Sequence, residues 1–409
     1  MKRIVLSICF GLAFCVSAGQ KAVFPAEKMT PFVFSDNQGN VFFSENPVEL
    51  HRTPDAPELD CTLQDWHGKV LHSGIRLDRK NDPLFFSGLP CGFYTLTVFA
   101  KNTLAGRFNF IIIPVPETRK YSRDEFFALD TAMSWLAEPG DFNCRWYQGD
   151  SFRVVRDLVH WAGFSQVRDR LLWRDVHPSA GKTDYGKYLN NARLFRQRNI
   201  RISGMFHDAP AYLDTRQSIP RDLAGLYRGC RQLAKDFGSC MSNWEFWNEQ
   251  DIGFSKAPVW DYMAGMKAAS LGFRAGNPDA IIAPGAVCSG VNSPFHRAMY
   301  LNDCADYTDV LNYHTYAPPA EYALLGYKLR RFRIKHNIPD RAVWITECGT
   351  HMEGHAALSA AAASVGIPQV LFHNTIPGNA EIRFLRFGCN PVGTKLTYFL
   401  KNIQLLSNK

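Results

Sequence analysis

An α/β chain, built as a closed (β/α)8 TIM barrel preceded by a small N-terminal β-sandwich domain, is the fold class this sequence predicts. Three observations predict it. From about residue 125, apolar strand-like segments alternate with helical ones at a steady rhythm. Residues 24–118 instead show short alternating apolar runs broken by turn signals. No GxGxxG or GxxxxGK[ST] turn occurs, which an open doubly wound sheet usually carries.

The first eighteen residues read as an export signal. Lys2 and Arg3 form a positive start, an apolar stretch follows from Ile4 to Val16, and Val16-Ser17-Ala18 offers small residues for cleavage. The stretch is too short to span a bilayer with ease. The expectation is a secreted or periplasmic protein with no membrane span after signal cleavage. Residues 24–118 follow as the sandwich domain, with turns at Asp36-Asn37-Gln38-Gly39-Asn40, Lys80-Asn81-Asp82-Pro83 and Pro90-Cys91-Gly92. The run from Phe93 to Phe99 is rich in aromatic and β-branched residues, as a pleated, half-buried surface favours. Pro114-Val115-Pro116-Glu117-Thr118 reads as a stiff linker.

The barrel is expected over 125–409. Strands are placed at 127–134, 165–173, 200–206, 243–248, 280–284, 309–313, 342–346 and 368–372. Helices are placed at 152–162, 185–198, 221–237, 259–277 and 322–336. Eight strand-then-helix units over this length match the size of such a barrel. Chemistry on this fold sits at the C-terminal ends of the strands, so the last residue of each run and the loop after it are the places to search.

Composition narrows the classes. The chain has 409 residues, of which 46% are hydrophobic and 13% aromatic, too much apolar surface for a disordered protein. Net charge is +8, falling to +6 without Lys2 and Arg3. The densest basic patch, Lys328-Leu329-Arg330-Arg331-Phe332-Arg333 with Lys335, reads as the solvated face of a helix, and no nucleic acid partner is expected. Eleven cysteines become nine after cleavage, with no CxxC pair. Cys61 and Cys91 are the first choice for a disulfide. No GxSxG motif supports a serine hydrolase.

Two strand ends carry carboxylates. The fourth ends Trp244-Glu245-Phe246-Trp247-Asn248-Glu249-Gln250-Asp251, and the seventh ends Val343-Trp344-Ile345-Thr346-Glu347-Cys348-Gly349. Strands four and seven lie nearly opposite on a ring of eight, so Glu249 and Glu347 are expected to converge across its mouth. Two converging carboxylates suit glycosidic cleavage, one protonating the leaving oxygen and the other attacking or activating water.

With these motifs in hand, the chain resembles clan A of the glycoside hydrolases, the retaining (β/α)8 barrel glycosidases, and within it families 39 and 5. Further residues agree. Val167 to Trp173, followed by Val176-His177-Pro178 and Gly181, resembles that clan's second strand. Phe206-His207-Asp208-Ala209-Pro210 resembles the third strand and Asn312-Tyr313-His314-Thr315-Tyr316 the sixth. The resemblance covers roughly 125–350.

It implies that Glu249 is the acid/base and Glu347 the nucleophile. Asn248 would hold the sugar 2-hydroxyl, and Arg168 would lie below the nucleophile. His314 and Tyr316 would sit beside it, and His207 and Asp208 would line the subsite of the cleaved sugar. The implied partner is an oligosaccharide or polysaccharide substrate, with no cofactor and no metal. A catalytically inactive carbohydrate-binding relative and a transglycosylase using the same pair remain alternatives.

Other residues admit plainer readings. Glu245 shares a strand face with Trp247 and Glu249 and reads as a buried partner for Arg168 or Arg170. Trp173, Trp244, Trp247 and Trp344 read as core. His351-Met352-Glu353-Gly354-His355 reads as loop rather than metal site. The chain departs from the clan's pattern at strand eight, Val370-Leu371-Phe372-His373, where a Trp is common. It also departs in the short Ala-rich segment before that strand, from Ala356 to Ala363.

Overall fold

The computed structural model describes residues 32–115, 127–131, 134, 151–161, 164–213, 219–348 and 369–373, apart from single positions 38, 39, 66 and 81. The expected export signal, the expected linker beyond Val115, residues 351–355, the Ala-rich segment 356–363, Cys144 and Cys389 lie outside the described residues.

The N-terminal region holds strands β1 (Val33–Phe34), β2 (Val41–Phe43), β3 (Val48–Arg52), β4 (Leu59–Asp65), β5 (Val70–Leu77), β6 (Leu84–Phe86), β7 (Gly92–Ala100) and β8 (Thr103–Ile113). They form a three-stranded sheet, β1-β3-β6, and a five-stranded sheet, β2-β8-β7-β4-β5. Alternate side chains of both sheets, among them Val48, Leu50, Leu63, Leu96 and Phe110, meet in one apolar cluster. Cys61 and Cys91 are both free thiols, against the expected disulfide. The register explains this: Cys61 pairs with Val98 across β4 and β7, seven residues along from Cys91. At about 3.3 Å per residue that is roughly 23 Å, far beyond a bridge's reach of about 7 Å between Cα atoms.

The second unit is a ring of eight parallel strands. They are β9 (Phe127–Asp130), β10 (Gln166–Leu172), β11 (Arg201–His207), β12 (Met241–Phe246), β13 (Ile281–Pro284), β14 (Val310–Thr315), β15 (Ala342–Cys348) and β16 (Gln369–His373). Each coincides with an expected strand within a few residues. They pair in the order β13-β12-β11-β10-β9-β16-β15-β14. The ring closes between its ends through a parallel bridge of Val287 with Tyr313 and the bond from the Asp309 N–H to the Ile282 carbonyl (2.8 Å).

Helices α1 (Ser151–Trp161), α2 (Trp173–Val176), α3 (Gly186–Arg196), α4 (Leu223–Phe237), α5 (Val259–Gly276), α6 (Pro294–Leu301), α7 (Cys304–Tyr307) and α8 (Tyr322–Lys335) accompany the strands. Trp244 stacks on Phe273 of α5 at 4.7 Å between centroids, and Trp173, Trp244, Trp247 and Trp344 are all buried, as expected of core residues. The basic residues Lys328, Arg330, Arg331 and Lys335 are exposed on α8. No described helix is long and apolar enough to cross a membrane.

The two units share packing. Val41, Ile111 and Ile113 of the N-terminal sheets belong to the apolar cluster of the barrel, and Phe43 meets Trp161 of α1 edge-on at 5.4 Å.

Candidate active site

Strand alternation builds the floor of the site. On β10, Arg168 and Arg170 point into the ring, while Asp169 points outward, accepting from Ser134 and from Asn191 of α3 (2.8 Å). Arg168 is fully buried. Its guanidinium grips Glu245 through two nitrogens (2.9 and 3.1 Å), and it also donates to Asp130 (2.8 Å), Asn248 (2.9 Å) and Glu347 (3.2 Å). Burial alone would push this guanidinium down. Glu245, Asp130 and Glu347 outweigh burial and hold it well above its ordinary value. Glu245 is therefore the buried partner of Arg168. Arg170 adds a second cation, 3.2 Å from Asp130 and 3.3 Å from Glu347.

This charged floor gives a stability expectation. Replacing Arg168 by Met removes the shared donor, strips Glu245 of its guanidinium partner and leaves Asp130 and Glu347 to Arg170. The loss should be about 3–5 kcal/mol, read as a fall in the denaturant midpoint at constant slope.

Glu347 reaches the interior through an irregularity. In the pairing of β14 with β15, Tyr313 faces Ile345 and His314 faces Glu347, which leaves Thr346 as an extra residue. Strict alternation would send Thr346 and Glu347 to opposite faces. The bulge turns both inward, and both meet the same His314 ring. Glu347 accepts from Arg168 and Arg170 on one oxygen and from the Tyr316 hydroxyl on the other. Burial, and then the Glu347 charge, push the Tyr316 phenol far up, so it stays a donor.

Glu249 arrives from the turn after β12. Trp247 and Glu249 there have positive φ, 78° and 41°, a conformation that costs non-glycine residues energy. Fixed bonds hold it: the Trp247 indole donates to the Phe254 carbonyl (2.8 Å), and the Glu249 N–H donates to the Ala286 carbonyl (3.1 Å). The Glu249 side chain lies 3.0 Å from His314 Nδ1, and the Cys288 thiol contacts it. Burial, with Glu249 and Asp251 beside it, pushes that thiol up, so it stays protonated.

One side-chain atom each from Glu249, His314 and Glu347 lies within 4.8 Å of the other two. That spacing is within reach of a single cation. The two guanidiniums already seated on Glu347 supply positive charge there and would repel one.

The other expected residues take definite places. Asn248 turns its carbonyl oxygen to Arg168, which leaves its amide nitrogen as the donating end. His314, expected beside Glu347, lies 3.7 Å from it and 3.0 Å from Glu249. His207 and Asp208 end β11, bonded to each other (3.2 Å) and to Arg174 of α2 through Asp208. Burial would raise the Asp208 carboxyl, but His207 and Arg174 outweigh it and hold it low. Burial lowers His207 and keeps it mostly neutral.

Sequence reasoning did not single out Asp130 or Thr346, nor assign Asn312 a role. Asp130 ends a short strand with no motif around it. Thr346 was hidden by the assumption of unbroken alternation.

No family model and no curated protein sequence matches the chain. Solved structures do. A family 39 glycoside hydrolase from the gut symbiont Bacteroides cellulosilyticus WH2 superposes with a TM-score of 0.64 at 17% identity, covering 91% of this chain and 82% of its own. The chain has the clan A glycoside hydrolase fold. A clan A family 5 enzyme (subfamily 18) from Streptomyces cattleya, solved with GlcNAc, gives a TM-score of 0.51 at 16% identity over 69% of this chain and 81% of its own. An exo-β-1,4-mannosidase from Opitutaceae bacterium strain TAV5 gives 0.50 at 17% identity over 72% and 62%. At these identities the likeness to clan A is one of fold. On a clan A barrel, Glu249 and Glu347 occupy the ends of the fourth and seventh strands.

Proposed function

We propose that this protein is an exported retaining glycoside hydrolase that cleaves O-glycosidic bonds by double displacement, with Glu347 as nucleophile and Glu249 as acid/base. The carrying observation is that an oxygen of Glu249 and an oxygen of Glu347 lie within 4.8 Å of each other. Retaining pairs stand about 5–5.5 Å apart, whereas inverting pairs need about 6.5–9.5 Å to admit a water.

The chemistry divides as follows. Arg168, Arg170 and Tyr316 all donate to Glu347, which favours its charged, nucleophilic form. Glu347 attacks the anomeric carbon while Glu249 gives its proton to the glycosidic oxygen, and the leaving group departs as an alcohol. Glu249, now a carboxylate, takes a proton from water. The resulting hydroxide attacks the same carbon and frees Glu347. Asn248, anchored on Arg168, is placed to donate to the sugar 2-hydroxyl. His207 and Asp208 line the subsite of the cleaved sugar. The domains are a signal at 1–18, a β-sandwich at 24–118 and the barrel at 125–409. The shared packing of Val41, Ile111 and Ile113 with the barrel supports a bracing role for the sandwich.

The test is a panel of aryl glycosides (xylose, glucose, galactose, arabinose, mannose) given to purified protein, with the anomer of the first product read by proton NMR. Hydrolysis with retention is expected. Saturable binding without turnover of any sugar would instead mark a silent carbohydrate-binding relative. Products joined to an added acceptor sugar would mark a transglycosylase.

A further inference from the structure

A hydroxyl carries one proton, and the partners of Thr346 decide where it points. Thr346 Oγ1 lies 2.7 Å from Asn312 Oδ1 and 3.4 Å from Glu245 Oε1. The amide of Asn312 is oriented by its own bond, Nδ2 donating to the Pro284 carbonyl (3.0 Å), so Oδ1 accepts. Glu245 accepts from Arg168 through both of its oxygens and is an acceptor here too. Either way, the Thr346 proton is spent away from His314. Towards His314 Nε2, 3.1 Å off, Thr346 can then only accept. Both ring nitrogens of His314 meet polar atoms as placed, which a flipped ring would forfeit. The Nε2 therefore carries hydrogen. In a neutral ring Nδ1 is then a lone pair, and it faces Glu249 Oε1 at 3.0 Å.

We propose that the Pro284–Asn312–Thr346 relay fixes the His314 tautomer and thereby makes the Glu249–His314 pair hold one proton at rest. This rests on the reading of Glu249 as acid/base and assigns Thr346 and Asn312 as positioning residues for it. When Glu249 gives its proton to the leaving oxygen, its carboxylate is left facing a lone pair. That contact is relieved when Glu249 takes a proton from the attacking water, so the relay keeps Glu249 protonated at rest and strengthens it as the base of the second half.

The other groups facing the pair are Glu347 on β15, Cys288 and Asp251 in the loops after β13 and β12, and Tyr316 after β14. Glu245, Arg168, Arg170 and Asp130 lie below. None of them supplies Nε2 with a second acceptor among the bonds described, so Thr346 is the controlling contact.

The experiment uses the full chain labelled with 15N in its histidine rings, the His314 signal being assigned by its loss in His314→Gln. A protonated Nε2 is expected in the unsubstituted chain. In Thr346→Val the acceptor is gone, and the ring is free to put hydrogen on Nδ1 and donate to ionised Glu249. The alkaline limb of kcat/KM should then move to lower pH by about one unit, and Thr346→Ser should restore both signals. An unprotonated Nε2 in the unsubstituted chain overturns the proposal. So does an alkaline limb that stays put or rises in a folded Thr346→Val. The ring signal needs neither substrate nor any Thr346 variant, so it judges the relay even if Thr346→Val fails to fold. A failure to turn over any glycoside would count against the function instead.

Discussion

Glu347→Gln is expected to lower kcat/KM on aryl glycosides by on the order of 10⁴-fold or more, since removing a nucleophile disables the whole catalytic unit. The amide keeps the volume and the neighbours of the carboxylate, so the fold should survive. What disappears is the charge that Arg168, Arg170 and Tyr316 converge on. The loss should be similar for good and poor leaving groups, because no glycosyl ester forms with either. Steady-state rates across a leaving-group series would show it. A drop of less than tenfold would mean that another group attacks the sugar.

Glu249→Ala should behave differently. General acid catalysis contributes about 10²–10⁴-fold, and only where the leaving oxygen needs a proton. Natural-type glycosides should lose that much, while dinitrophenyl glycosides, whose leaving group departs unaided, should lose far less in the first step. The alkaline limb of the pH profile should vanish with the proton donor. Equal losses on both substrate types would exchange or abolish the assigned roles.

Much of this was legible in the sequence, for physical reasons. The eight strands were found because each is a short run between turn signals, and β10, β11, β14 and β15 are buried along nearly their whole length. The paired carboxylates were found because a barrel fixes where strand ends point. Other features left no periodic trace. Helices α6 and α7 are only 8 and 4 residues long, too short for a 3.6-residue pattern to declare itself. The bulge at Thr346 breaks the two-residue period that sequence reasoning must assume, so the inward turn of two successive side chains went unseen. A disulfide between Cys61 and Cys91 was a guess from proximity along the chain. Strand register, which depends on cross-strand packing, put them far apart.

Arg168, on β10, ties together groups on or just after three other strands: Asp130, Glu245 with Asn248, and Glu347. The carboxylates proposed to react are thus seated on or beside the frame strands. Those connections can lengthen, shorten or change their residues without disturbing the bond-breaking chemistry. On the proposed function, chimeras that swap rim segments onto this frame should change the sugar accepted while keeping the Arg168-centred floor intact.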